Sequence, residues 1–152
     1  MEIITTNSPN ADILRQSCKP VADIRQHMPL IIEMYDLLAH CGGLGLAAPQ
    51  VGIAERFFVA RIGGSIRLFI NPSIGRRGRD LVIYREGCLS LPGRGVRVER
   101  ARVITACYED ENGVAKQERL SQKDAVVFQH EADHLDGILM TDIGIRTTAQ
   151  SA

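Results

Sequence analysis

His130-Glu131-Ala132-Asp133-His134 is the stretch of this 152-residue chain richest in chemistry. Four residues apart on a helix, His130 and His134 stack their imidazoles on one face, where two ring nitrogens can hold one metal ion. Glu131 lies about 100° round the helix from His130. Its carboxylate can reach a water at the metal without being a ligand, and in sites of this pattern it serves as general base. A catalytic ion of this kind takes a third protein ligand and keeps a further position open. The 18 residues after His134 contain no Glu or His. Asp136 falls on the wrong helical face and Asp142 is poorly placed, so the third ligand is expected upstream. Cys88, in Glu86-Gly87-Cys88-Leu89-Ser90, is the candidate. It follows a β-prone run and precedes Pro92, and Gly87 frees the backbone to aim the thiol. A thiolate lowers the effective charge of the ion and favours softer metals. His27 and His40 read as surface or helix-end residues.

A third stretch is Gly43-Leu44-Gly45-Leu46-Ala47-Ala48-Pro49-Gln50. Its small residues let another chain approach the backbone closely. It is not a phosphate loop: the G-K-[ST] ending is absent, the G-x-G-x-x-G spacing is not met, and it follows a helix rather than a strand. Gln50 offers a neutral amide donor, which can hydrogen-bond an oxyanion without altering the charge balance of a metal.

These residues need elements to position them. The His pair belongs to a helix over about residues 122–136, with Ser121 and Asp124 as an S-x-x-D capping box and Gly137 as its C′ glycine. Ala125, Val126, Val127, Phe128, Ala132 and Leu135 leave it little polar face, so it is expected in the middle of the domain. A second helix is expected over residues 23–40, ended by Gly42-Gly43, with its regular part starting at Pro29. Residues 42–50 read as a loop. β-Prone runs follow at 56–62, 66–71, 81–85 and 102–109, separated by turns at 63–64 and 75–78. Asn112-Gly113 predicts a hairpin between residues 102–108 and 114–120.

The bulk properties are those of a soluble globular chain: 45% hydrophobic, 24% charged and no net charge. A protein dependent on phosphate contacts shows a basic excess, so no direct nucleic-acid role is expected. The cations are 15 Arg against 3 Lys. Arg76, Arg77 and Arg79 read as a solvated turn, and Arg94, Arg97, Arg100 and Arg102 as a solvated strand face. A substrate carboxylate or ribosomal RNA is the alternative partner for them. No apolar run approaches the roughly 20 residues that span a bilayer, and the start lacks the pattern of a secretory signal. Without C-x-x-C pairs, Cys18, Cys41 and Cys107 read as small buried hydrophobes of a cytoplasmic protein.

The three stretches, in this order, resemble the peptide deformylase family, and the resemblance runs over about residues 2–142. Residues 43–50 match its G-x-G-hydrophobic-A-A-x-Q motif, residues 86–90 its E-G-C-hydrophobic-S motif and residues 130–134 its H-E-x-D-H motif. The resemblance implies an α+β fold, small mainly antiparallel sheets around a central helix carrying the H-E-x-x-H metal site. It implies a metal-dependent hydrolase that removes the N-formyl group from N-formylmethionyl peptides and releases formate. Cys88, His130 and His134 are then the metal ligands, Glu131 the acid/base, and Gln50 with the Leu89 backbone N–H the oxyanion hole. Gly43, Leu44 and Gly45 line a cleft for an extended peptide, and Leu44, Tyr84, Val126 and Val127 a methionine pocket. The implied ion is Fe²⁺, with Zn²⁺, Ni²⁺ or Co²⁺ as substitutes. The implied partners are nascent polypeptides in the cytoplasm. The chain reads as one domain over residues 1–152. Residues 144–152 do not form the basic C-terminal helix of many bacterial members, which puts ribosome docking through that helix in doubt. Gly95 stands where bacterial members often carry an Arg near the substrate, with Arg94 or Arg97 as replacements. Asp133 is expected to orient a ligand His or nearby backbone, and Glu86 with Arg100 to form a buried pair. A small zincin-type endopeptidase and a non-catalytic module with a structural metal are the rival readings.

Overall fold

The computed structural model describes residues 1–146. Helix α1 (Met28–Cys41) is followed by strands β1 (Gly45–Ala47), β2 (Phe57–Ile62), β3 (Ser65–Arg77), β4 (Leu81–Gly87), β5 (Gly95–Ala101), β6 (Val103–Glu109) and β7 (Ala115–Ser121). Helices α2 (Gln122–Leu135) and α3 (Met140–Ile143) close the order. Five strands form one sheet in the order β1-β2-β3-β6-β7, and β4 and β5 form a separate two-stranded sheet; every pairing is antiparallel. The fold is therefore α+β, as the resemblance implied. No helix among the described residues is long and apolar enough to cross a membrane.

The near-continuous apolar run of β2 explains the layering. Alternate side chains of a strand point to opposite faces. Phe58, Ala60 and Ile62 join Phe69, Phe128 and Leu135 in one buried cluster under α2. Phe57 and Val59 join Ile31, Met34 and Leu38 in another under α1. The sheet is thus covered on both faces at β2. Phe128 of α2 stands edge-on to Phe58 and Phe69 at centroid distances of 5.2 and 5.4 Å, which pins the helix to the sheet. A smaller cluster of Leu91, Val98, Leu139 and Met140 seats α3 beside β5.

Several expectations need correction. Residues Ile24–His27 form a 3-10 turn, and regular α1 begins at Met28 with Pro29 in its first turn, where the missing N–H is harmless. Ser121 is the N-cap of α2 but makes no side-chain cap bond; Asp124 accepts instead from the Gly63 N–H at 3.2 Å. Residues 75–78 are not a turn. β3 continues to Arg77 through two register shifts, so Arg76 and Arg77 are strand residues. Residues 42–50 hold β1 and a 3-10 turn, Ala48–Val51, rather than a plain loop. β5 lies outside the expected β-prone runs but carries the arginines read as a strand face, and its Arg100 is buried rather than solvated. Cys41 is exposed, whereas Cys18 is buried and Cys107 half-buried. The hairpin at Asn112-Gly113 forms, with Gly113 at φ 76°, and Gly137 ends α2 at φ 73°. Residues 144–146 are not helical, and the remainder of the expected non-helical stretch, 147–152, lies outside the described residues.

Candidate metal centre

Two periodicities build the centre. His130 and His134 sit one turn apart on α2, with ring centroids 5.0 Å apart. Glu86 and Cys88 are two residues apart at the end of β4, so both face α2. The chain then turns, the Leu91 N–H donating to the Cys88 carbonyl at 3.0 Å. Cys88 Sγ lies 3.4 Å from His134 Nε2. The donor atoms of Cys88, His130 and His134 all lie within 4.8 Å of one another, and they are the one such group among the described residues. One sulfur and two imidazole nitrogens at that spacing fit a single divalent ion of borderline softness.

Glu86 is the pivot of the surroundings. Arg100 clamps it through Nε at 2.6 Å and Nη2 at 2.9 Å, and both residues are buried. Its Oε1 lies 2.7 Å from His130 Nδ1. An ionised carboxylate only accepts, so Nδ1 carries the proton and Nε2 is left free to ligate. Burial favours loss of that proton, but hydrogen bonds to Cys88 and Glu86 prevail and raise the His130 pKa to about 10. The field that holds a proton there also favours a metal cation. His134 is pushed the other way by burial, and then by His130. It is a neutral imidazole whose Nδ1 has no partner among the described residues. Asp133 does not touch either ligand imidazole, contrary to the first expectation for it; it accepts from Arg100 Nη1 at 2.8 Å.

Glu131 is buried, and its Oε2 has no hydrogen-bond partner among the described residues. Burial raises its carboxyl to about 7; His130 opposes that and Glu86 adds to it. The group lies against Gly45: a Cβ there would come within 2.5 Å of Glu131 Cδ and 2.7 Å of Cγ. Only glycine at 45 leaves that space. Gln50 Oε1 accepts from the Ala47 N–H at 2.9 Å, which fixes the amide orientation. Its Nε2 donates to Ser90 Oγ at 3.0 Å and lies 3.7 Å from Cys88 Sγ. Ser90 was not singled out from sequence. It donates in turn to the Ile4 carbonyl at 2.6 Å, and the Ile4 N–H donates to the Gln50 carbonyl at 2.8 Å. The N-terminal segment thus ties the Gln50 turn to the Cys88 turn.

The centre opens into a cleft of about 660 Å³. Gly43, Leu44, Gly45, Tyr84, Val126 and Val127 all line it, as do Gln50, Cys88, Leu89, His130 and Glu131. His134 lies behind the wall. Arg94 reaches the cleft and Arg97 does not. The downstream aspartates stay away: Asp136 pairs with Arg56 at 2.8 Å and Asp142 with Arg15 at 2.5 Å.

The family profile described as polypeptide deformylase matches residues 1–149. The peptide deformylase of Thermotoga maritima is 41% identical over 131 residues, 86% of this chain and 80% of that protein. The fold is similar to the crystal structure of the peptide deformylase from Thermotoga maritima, with TM-score 0.88 and 38% identity over 95% of this chain and 97% of that one. It is also similar to a probable peptide deformylase from Synechococcus phage S-SSM7, with TM-score 0.85 and 34% identity over 94% and 99% of the two chains.

The Glu86 cluster generates a prediction. Glu86→Gln should weaken divalent-metal affinity by about 10- to 100-fold, measured by chelator competition, because it replaces the charged acceptor that sets the His130 tautomer with a neutral amide. Arg100→Met should do similar damage, and the double variant should lose far less than the two losses combined. Additive losses would show that Arg100 does not act through Glu86.

Proposed function

The chain belongs to the polypeptide deformylase family and is a metal-dependent hydrolase that takes the N-formyl group off N-formylmethionyl peptides; we propose that Cys88, His130 and His134 hold its metal and that Glu131, Gln50 and Leu89 carry the reaction. The observation that supports this most is the convergence of one sulfur and two imidazoles beside an unpartnered buried carboxylate at the floor of an open cleft. A divalent ion held there supplies Lewis acidity, polarising a carbonyl oxygen and lowering the pKa of water.

The protein's own residues divide the remaining work. Glu131 takes a proton from water as the new C–O bond forms at the formyl carbon. A carboxyl raised to about 7 can both take and return a proton near neutral pH. Gln50 Nε2 has one hydrogen committed to Ser90 and a second directed toward the centre, where it and the Leu89 N–H donate to the developing oxyanion. Glu131 then delivers the proton to the amine nitrogen as the C–N bond breaks, leaving formate and a free amino terminus. The Glu131 carboxylate packed on Gly45 leaves the reacting carbon little room, which suits a formyl group bearing only hydrogen and rejects larger acyl groups. Leu44, Tyr84, Val126 and Val127 take the methionine side chain, and the backbone of residues 43–45, on the edge strand side of the sheet, pairs with the extended peptide.

We assign Fe²⁺ as the working ion, with Zn²⁺, Ni²⁺ or Co²⁺ able to replace it, and nascent cytoplasmic polypeptides as substrates. Ribosome contact, if made, would not use a helix over residues 144–146. Anaerobic purification with elemental analysis and a formate assay tests the ion: full activity in an iron-free, zinc-loaded preparation would remove the assignment. Glu131→Gln should retain metal and lose roughly 10²- to 10⁴-fold in formate release from formyl-Met-Ala-Ser; a variant that stays active refutes Glu131 as base. Gly45→Ala should also bind metal, yet lose about 100-fold or more in turnover, because it displaces the Glu131 carboxylate by around 1 Å. Undiminished turnover would mean that the Glu131–Gly45 contact is incidental.

A further inference from the structure

The rim of the cleft carries charge of one sign. Arg85, Arg94 and Lys123 line it, and none of them forms an ion pair among the described residues. The acids that line the cleft, Glu86 and Glu131, are buried on its floor, and Glu86 is already matched by Arg100. Arg85 is held in place by the β4–β5 pairing. It stands directly opposite Arg97, and its diagonal neighbours on that face are Gly95 and Glu99. Its guanidinium leans over Gly95, toward the cleft and away from Glu99: a Cβ at Gly95 would meet Arg85 Nε at 2.6 Å and Cζ at 2.7 Å. The bare glycine makes room for the cation at the cleft mouth.

Chain spacing places the backbones of two of the cations at similar distances from the centre. Arg85 precedes Cys88 by three residues of extended chain, roughly 10 Å. Lys123 precedes His130 by seven residues on one stripe of α2, again roughly 10 Å. Arg94 lies in the turn between β4 and β5, its N–H donating to the Leu91 carbonyl at 3.2 Å. An extended peptide whose formyl carbon reaches the centre places the side chain of its third residue roughly 10 Å away.

We propose that Arg85, with Arg94 and Lys123, selects formylated peptides carrying an acidic residue at the third position. The inference rests on the deformylase reading of the same cleft. Exposed charges interact weakly one by one and are screened by salt, but several of one sign around a cleft add up.

The test uses the metal-loaded enzyme and three peptides, formyl-Met-Ala-Glu, formyl-Met-Ala-Gln and formyl-Met-Ala-Lys. All are amidated at the C-terminus so that the side chain alone differs in charge. At an ionic strength of about 10 mM, kcat/KM should favour Glu over Gln by about three- to tenfold, and the ratio should fall toward one at about 1 M salt. Arg85→Glu, which takes the rim from three positive charges to a net of one, should bring the Glu-to-Gln ratio at low salt most of the way to one, a change in ratio that general loss of activity cannot produce. A Glu-to-Gln ratio near one for the unmodified enzyme at low salt overturns the proposal, as does an unchanged ratio in Arg85→Glu. If none of the three peptides loses formate, the deformylase reading itself fails and the inference falls with it.

Discussion

The Arg100–Glu86 clamp is the interaction on which the rest of the centre depends. Buried Glu86 and half-buried Asp133 share one guanidinium, and the Cys88 sulfur stands beside the His pair as a third anion when ionised. With a thiolate at Cys88, one arginine faces three negative groups, and two charges remain uncompensated at the floor of the cleft. Such an imbalance is costly unless a cation is supplied. A proton on His130 is one answer, and its raised pKa reflects that pull. A divalent ion is the better match, since it offsets both charges at once. Metal binding and burial of the acids are therefore one problem with one solution.

The walls of the cleft follow from where the two sheets end. β1 is the edge of the five-stranded sheet, and β4 belongs to a sheet of only two strands. Exposed strand edges invite pairing with other chains. Here residues of both strands border the cleft. The N-terminal segment secures this arrangement. Through Ile4 it bonds Gln50 and Ser90, holding the first and second motif stretches together although they are about 40 residues apart in sequence.

Much of this was legible in the sequence because it is written in short-range spacing. The i, i+4 histidines, the absence of a downstream ligand, Gly137 and Pro29 each report a local constraint. What stayed hidden depends on distant partners. β5 alternates Val96 and Val98 with Arg97 and Glu99, but Arg100 breaks the apolar pattern because its inward side chain is matched by Glu86 rather than by other apolar groups. The capping box at Ser121 failed because Asp124 found the Gly63 N–H on another element. The turn expected at residues 75–78 failed because those glycines serve close packing: a Cβ at Gly75 would lie 3.0 Å from Cys107 Sγ. Asp133, expected to orient a ligand His or nearby backbone, pairs with Arg100 instead, and Ser90 gives no local signal of its bond to Gln50, for the same reason. A sequence shows which groups need partners but not which partner the fold brings.

The geometry of the centre can be read as the meeting of two periods. Along an extended strand, residues i and i+2 share a face, so Glu86 and Cys88 both point at α2 while Gly87 between them points away, with nothing within 4 Å of where its Cβ would be. Along the helix, i and i+4 share a face, so His130 and His134 point back. Glu86 bonds His130, and Cys88 approaches His134. Cys88 also meets His130, so both strand residues reach the histidine pair, and the spacing of two on the strand, roughly 7 Å, is close to the spacing of one helical turn, roughly 5 to 6 Å. One hydrogen bond at Glu86 therefore sets the register of the Cys88 sulfur against the helix. A one-residue slip of β4 would turn both side chains away together, which is why the ligand and the group that orients its neighbour belong on the same short segment.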